Sequence, residues 1–449
     1  MPKKKQGGGI GGEDSSGGDP ELFQKCPLAS AILQTDLVSV GHILEQSLPH
    51  AAQVTDVKVQ KSAGEAFTGG RSTPVYSITA TVYRKSVNGK STPKKRHFIV
   101  KLVEMMDHDN HDNNNKKLIQ LRESYAVERR FYDSLAPHMR QSAPELTTPK
   151  VLHSDLDGSK AWPIFCMLMN DLTMAGFPSH PIVLQVAQAK AALTWIATFH
   201  ALFWASQQPS KQESWRLWDR GGFWTKTTDT SRIGTNWLQT IRFIETKHAD
   251  YLSATGNNLR DFGKRLQNAG NPIQDCLNQL SASKEYGTVI HGDYKAANMF
   301  LAAGNANGGD DAESMDASSV AVVDFQHTGF GVCSDDVAYL LYPDARGYFS
   351  DADQDELLVG YHSTLIEQLM IHGKGGPSTL SLERFQIFFR LSQLEMTRHW
   401  TQKGWAASTM PEVELMLQLD NFMTKHLDHG HVLAAKEYDE KLSKLLCSV

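Results

Sequence analysis

Residues 288–301 read TVIHGDYKAANMFL, and after a polar insertion residues 320–331 read VAVVDFQHTGFG. Val289 and Ile290 in the first stretch, and the apolar residues 320–323 in the second, are runs of the length expected for short buried strands. Each run leads into an acidic residue. The carboxylates of Asp293 and Asp324 are therefore expected to emerge beside one another at loop ends, with Asn298 five positions beyond Asp293.

Phosphoryl transfer asks little covalent work of a protein: it needs an oriented hydroxyl and cations that neutralise charge developing on the phosphate oxygens. A base and two oxygen ligands suffice. Asp293 suits the acceptance of a substrate hydroxyl's proton. Asn298 and Asp324 offer the hard oxygens that magnesium takes while keeping waters around it.

The rest of the chain is compatible with such an enzyme. Its 449 residues, 41% hydrophobic and 21% charged, are enough for one large core or two adjoining ones. A net charge of −5 gives no global basic field, which argues against nucleic acid or an anionic membrane as partner. Five scattered cysteines lack CxxC or zinc-ligand spacing and read as reduced thiols of a cytoplasmic protein. No apolar run has the length of a membrane span or the form of a signal peptide. Lys3, Lys4 and Lys5 read as a solvated tail rather than an address.

Residues 1–20, rich in Gly and Ser, are expected to be a disordered leader. Three β-rich runs follow, VTDVKVQK (54–61), PVYSITATVYR (74–84) and RHFIVKLVE (96–104), separated by turn residues, and together they predict an antiparallel sheet. The polar stretch at 107–117 reads as a loop despite its histidines and aspartates. LIQLRESYAVERRFYDSLAP (118–137) reads as a helix ended by Pro137, and AWPIFCMLMNDL (161–172) as a buried strand entering a connector. In the longer, helical second half, Val186, Ala189, Leu193, Ile196, His200 and Phe203 draw one apolar stripe, on which His200 reads as a core histidine. Leu382, Phe385, Phe389 and Met396 draw another. The acidic insertion at 302–319 lacks the alternation of an EF-hand loop and reads as a disordered hairpin tip. The tryptophans of WRLWDRGGFW (215–224), and the MTRHW run (396–400), read as packing elements before they read as a substrate cage.

HGDYKAAN with DFQ resembles the paired motifs of the aminoglycoside phosphotransferase and choline kinase-like superfamily. SDDVAYLL (334–341) brings the resemblance nearest to its ecdysteroid kinase-like branch. Over roughly residues 60–400 this resemblance implies an α+β, protein-kinase-like two-lobed fold: a small β-rich nucleotide-binding lobe at 21–168, then a hinge and a larger, mainly helical catalytic and substrate lobe at 169–449. It implies ATP and Mg2+ as cofactors and a small-molecule alcohol as acceptor. Lys101 resembles the strand lysine that touches the ATP phosphates, and Glu128, ahead of Glu123, the helix glutamate that pairs with it. On a period-two strand Ile99 shares the face of Lys101 and would lie against adenine. Met169 resembles the hinge residue whose backbone binds adenine, although Asn170 stands where the family has an acidic residue, and Tyr294 where it has leucine. Gly69 and Gly70 precede a strand as a phosphate-covering loop would, without a GxGxxG pattern. A catalytically silent scaffold of the same fold is the alternative reading. A protein kinase is disfavoured, because HGD replaces HRD and no APE segment follows DFQ.

Overall fold

The computed structural model describes residues 26–49, 51–61, 75–84, 92–104, 112–156, 164–206, 214–226, 229–255, 259–302, 319–342, 349–404 and 409–448. Gly69 and Gly70, the leader and all but the edges of the acidic insertion lie outside them. The chain is α+β and divides into two compact units. One comprises the described residues within 1–62, 74–110 and 152–168; the other comprises those within 63–73, 111–151 and 169–449.

The first unit is built on a five-stranded sheet of order β1-β2-β3-β5-β4. Its strands are β1 (Ala51–Lys61), β2 (Val75–Arg84), β3 (Pro93–Glu104), β4 (Val151–Leu156) and β5 (Ile164–Asn170). The three expected runs are β1 to β3, paired antiparallel with Ile78 opposite Phe98 and Val75 opposite Lys101. Ile78, Ala80 and Val82 alternate into the core, as do Phe98, Val100 and Leu102. They meet Leu28 and Ile32 of α1 (Pro27–Leu33) and Val40, Ile43 and Leu44 of α2 (Leu37–Ser47). Removing such side chains from water, at about 2 kcal/mol each, holds the two helices on the sheet. Asp36 caps α2 through the Ser39 N–H at 3.1 Å. Ile99 and Lys101 stand on the opposite face, half-buried.

Two expectations are corrected at the next helix, α3 (Asp112–Arg130). Residues 112–117, read as loop, are its first turns. The buried stretch from Ser124 to Glu128 anchors the helix, and propagation from an anchored segment costs little per residue even for poor helix formers. Nor does the helix stop at Pro137. It widens into a π-helical turn, Phe131–Leu135, with the Ala136 N–H reaching back to Phe131 O, and continues as α4 (Ala136–Ser142) with Pro137 in the first turn. Proline is tolerated where its missing N–H has no intrahelical partner, and the wider turn creates such a place.

The second unit is largely helical. The expected stripe helix is α5 (Val186–Leu202), buried on every side in its last two turns. Next come α6 (Ile233–Lys247), α7 (Ala249–Thr255) and α8 (Phe262–Ala282), and later α9 (Cys333–Leu340), α10 (Asp351–Ile371), α11 (Leu382–Gln402), α12 (Met410–Met423) and α13 (Ala435–Ser448). α11 is central rather than one-faced: beyond Phe389 it buries Glu395, Arg398 and His399 along with its apolar residues. Glu395 and Arg398 answer each other with two hydrogen bonds of 2.7 and 2.6 Å.

A second buried pair ties the end of the chain to α8. Arg265 bonds Asp428 through Nε at 2.8 Å and Nη2 at 2.6 Å, and also reaches Asp420, while the Tyr438 hydroxyl of α13 donates to Asp428 at 2.7 Å. Asp428→Ala would leave the Arg265 charge without its bidentate partner, at a cost on the order of 3–5 kcal/mol. A lowered urea-unfolding midpoint is the expected result.

Candidate active site

Two short ladders carry the motif residues. β6 (Gly287–Ile290) pairs with β9 (Gly329–Val332), and β7 (Met299–Leu301) pairs with β8 (Val320–Val322), Met299 lying opposite Val322. The second ladder is prolonged by the Val323 N–H, which donates to Asn298 O at 3.0 Å. Asn298 and Asp324 are thus fixed at one end of it. The turn after β6 is fixed to the same end, because His291 Nε2 donates to Val323 O at 3.0 Å while its Nδ1 accepts from the Asp293 N–H at 3.2 Å. These partners determine the tautomer.

The two oxygens of Asp293 are treated differently. Oδ2 accepts from Asn298 Nδ2 at 2.9 Å and lies 3.0 Å from Lys295 Nζ. Oδ1 is buried and has no hydrogen-bond partner among the described residues. Asn298 Nδ2 also donates to Asp293 O at 2.8 Å, so both its amide hydrogens serve Asp293 and its Oδ1 is left as an acceptor. Asp324 is the next donor, and its backbone has φ of 68°, a left-handed conformation that aspartate tolerates better than most residues. One carboxylate and one amide oxygen are hard donors of the kind that fit magnesium, which fills its remaining positions with phosphate and water. Among the described residues no group of three or more His, Cys, Asp or Glu side chains forms a self-sufficient metal cage.

Sequence reasoning missed what holds this turn. Asp336, fully buried near the start of α9, accepts from the His291 N–H at 2.7 Å, the Gly292 N–H at 2.9 Å and His200 Nε2 at 3.1 Å. Behind it the Tyr361 hydroxyl meets His200 Nδ1 at 2.7 Å, and burial raises that hydroxyl's pKa well above its ordinary value. His200 is structural, as expected. Gly292 is required by its φ of 79° and because a Cβ there would collide with His327 O. Tyr294, fully buried, anchors the loop by donating to Ala192 O at 2.7 Å. His180 braces the Asn298 turn, its Nε2 lying 2.9 Å from Ala297 O. The repeated acids of SDDVAYLL were the one available clue; nothing local pointed to His180.

The DFQ segment is wedged by its phenylalanine. Phe325 stacks on Phe131 of the π turn with ring centroids 3.6 Å apart and an 8° tilt, three residues beyond Glu128, which is itself 1% exposed. Glu123 is half-exposed and paired with Arg130 at 2.6 Å. The tryptophan-rich segment lies along the other side: Trp218 Nε1 donates to Gln326 O at 2.9 Å, Arg220 bonds Asp335 at 2.6 Å, and Ser392 of α11 donates to Asp335 at 2.8 Å. Its tryptophans pack, and Trp224 is 1% exposed. Met169 is the penultimate residue of β5, half-buried, and beside it Asn170 Oδ1 accepts from the Lys150 N–H at 2.5 Å, a local packing role for the departure at that position. Ile99 and Lys101 belong to the first unit.

A family model described as the ecdysteroid kinase-like family matches residues 72–373. The chain belongs to that family. No curated protein matches it in sequence. Among solved structures it is similar to a microcompartment-associated aminopropanol kinase, at 15% identity over 90% of this chain and 98% of that one with a TM-score of 0.39. It is also similar to the amicoumacin kinase hAmiN in complex with AMP-PNP and Ca2+ (12%, 82% and 88%, 0.40) and to the choline kinase LicA from Streptococcus pneumoniae (11%, 88% and 98%, 0.34). The family match includes Lys101, Glu128, the HGDYKAAN and DFQ motifs and SDDVAYLL, begins after Gly70, and ends before α11, whose Ser392 nevertheless holds Asp335.

Asp336→Ala strands two buried N–H groups and an imidazole, and a loss on the order of 3–5 kcal/mol is expected in chemical denaturation. His399, packed against Phe223 and Trp400, has a pKa pushed down to about 4 by burial first and by the Lys403 and Arg398 charges second. Between the unfolded value near 6.5 and about 4, only the unfolded chain takes up this proton, so stability falls as pH drops, by about 1.4 kcal/mol per unit. Compared with wild type, His399→Gln should lose about 2 kcal/mol less between pH 6.5 and 5, read from unfolding midpoints.

Proposed function

We propose that this member of the ecdysteroid kinase-like family is an ATP- and magnesium-dependent phosphotransferase acting on a hydroxyl of a small molecule. The observation that carries the reading is the asymmetry of Asp293: Oδ2 is held by Asn298 and Lys295, while buried Oδ1 is left with no donor. A buried carboxylate oxygen without a donor is costly to keep, and a substrate hydroxyl is the group that relieves it.

In this reading Asp293 Oδ1 accepts the hydrogen bond of the acceptor hydroxyl, turns its oxygen toward the phosphoryl group and takes the proton as the oxygen attacks. Asn298 keeps the carboxylate from rotating. Asn298 Oδ1 and Asp324 would hold magnesium, which supplies the charge that offsets the phosphate oxygens. The 291–292 turn keeps Asp293 in register through Asp336, and Phe325 fixes Asp324 through its stack on Phe131. Lys101 is the proposed phosphate-binding lysine and Glu128 its partner; Ile99 and the Met169 backbone would take adenine, in an arrangement of residues 21–168 as nucleotide lobe and 169–449 as catalytic and substrate lobe. A cytoplasmic location is supported by the described cysteines, Cys26, Cys166, Cys276, Cys333 and Cys447, none of which is in a disulfide.

The test is ATP consumption over a library of small alcohols, with mass-spectrometric detection of added phosphate. A phosphorylated product is expected for wild type, with turnover lowered by about 10^2 to 10^4 in Asp293→Asn, the range for loss of a general base. Magnesium-dependent ATP binding with no product from any alcohol would favour a binding protein of this fold.

A further inference from the structure

The connector between β5 and α5 has no part in the motif reading, yet it is built against the strand that leads out of Asn298. Ser179 forms an antiparallel bridge with Leu301 of β7, the Leu301 N–H donating to Ser179 O at 2.8 Å. β7 therefore has the connector on one edge and β8 on the other. Leu172 and Phe177 of the connector pack with Phe300 of β7 and Ala321 of β8 in a small apolar cluster. The bridge and the cluster together place His180, whose ring lies against Phe300 with centroids 4.9 Å apart.

From that position His180 Nε2 reaches Ala297 O at 2.9 Å. A carbonyl can only accept, so this nitrogen carries the hydrogen. Ala297 O belongs to the peptide group that enters Asn298, and the N–H of the same peptide donates to Lys295 O at 2.9 Å. Because the peptide is planar, holding both of its polar ends fixes the backbone from which the Asn298 side chain departs. Asn298 has more need of this than an ordinary ligand. Its two amide hydrogens are committed to Asp293 at 2.8 and 2.9 Å, so the side chain cannot turn Oδ1 toward a cation without breaking those bonds. The place of Oδ1 is thus set by the backbone.

We propose that His180 is a positioning residue for the magnesium site, its Nε2–H holding the Ala297–Asn298 peptide so that one side chain serves Asp293 and the cation together. The inference rests on the phosphotransferase reading, which gives Asn298 Oδ1 to magnesium. Loss of a group that orients a metal ligand directly weakens metal binding by about 10- to 100-fold. His180 acts one peptide further back, and a weakening of about fivefold or more is expected.

Mn2+ takes the same oxygen ligands as magnesium and reports its own binding through the relaxation of water protons. It is titrated into the full chain with ADP present. His180→Phe keeps a ring against Phe300 and loses the donor, and it should need about fivefold or more Mn2+ for half-saturation. His180→Gln, which restores an N–H at a similar reach, should come within about twofold of wild type. A histidine that only stabilised the fold would lower the thermal unfolding midpoint while leaving the Mn2+ requirement of the folded chain unchanged. Equal Mn2+ affinity in wild type and folded His180→Phe, or a His180→Gln as weak as His180→Phe, would overturn the proposal and leave the phosphotransferase reading intact. A wild-type chain that holds no Mn2+ with ADP would remove the magnesium assignment in that reading and this inference with it. If His180→Phe does not fold, His180→Asn, whose amide is one carbon shorter, takes its place against His180→Gln.

Discussion

The Asp336 carboxylate accepts two backbone N–H groups and an imidazole with none of its surface in water. A charge so placed is tolerable only while every partner stays in position. The 291–292 turn, the end of α5 and the start of α9 are therefore fixed together. Asp293 inherits its place from that arrangement, and the Asn298 side chain, on a backbone fixed by the second ladder, holds its carboxylate. His291 extends the constraint to the second ladder by bonding Val323 O, one residue before Asp324.

The other side of the site depends on apolar contact. Phe325 is buried against Phe131 and beside the His291 ring, 4.7 Å away between centroids. The widened turn at Phe131–Leu135 brings Phe131 to this stack at the end of the helix that carries Glu128. A π turn costs hydrogen-bond geometry, and such turns persist mainly where a function compensates. Here the compensation is a rigid connection between the DFQ segment and the helix.

The strands and the motif loops were legible because their signals are local. Alternation in β2 and β3 is imposed by a sheet with one face on the core, and an apolar run before an acid predicts a strand leading to a loop. β4 was not legible: all six of its residues are half-buried, so its sequence shows no alternation. The burial of α11 on all sides was hidden because Glu395 and Arg398 satisfy each other, which no apolar pattern records. The helix running through Pro137 was hidden because the wider turn that accommodates proline leaves no mark in composition. Asp336 and His180 act across the fold, and spacing rules register only the residue types.

The bond from Ser392 to Asp335 joins residues on either side of position 373, where the family match ends. Asp335 also receives Arg220 and the Val332 N–H, so three separate stretches of chain meet on one buried carboxylate. The last helices and the motif segments of the second unit are consequently tied together at this point. Loss of the Ser392 hydroxyl would therefore be felt at Asp335 and at the start of α9, where Asp336 follows.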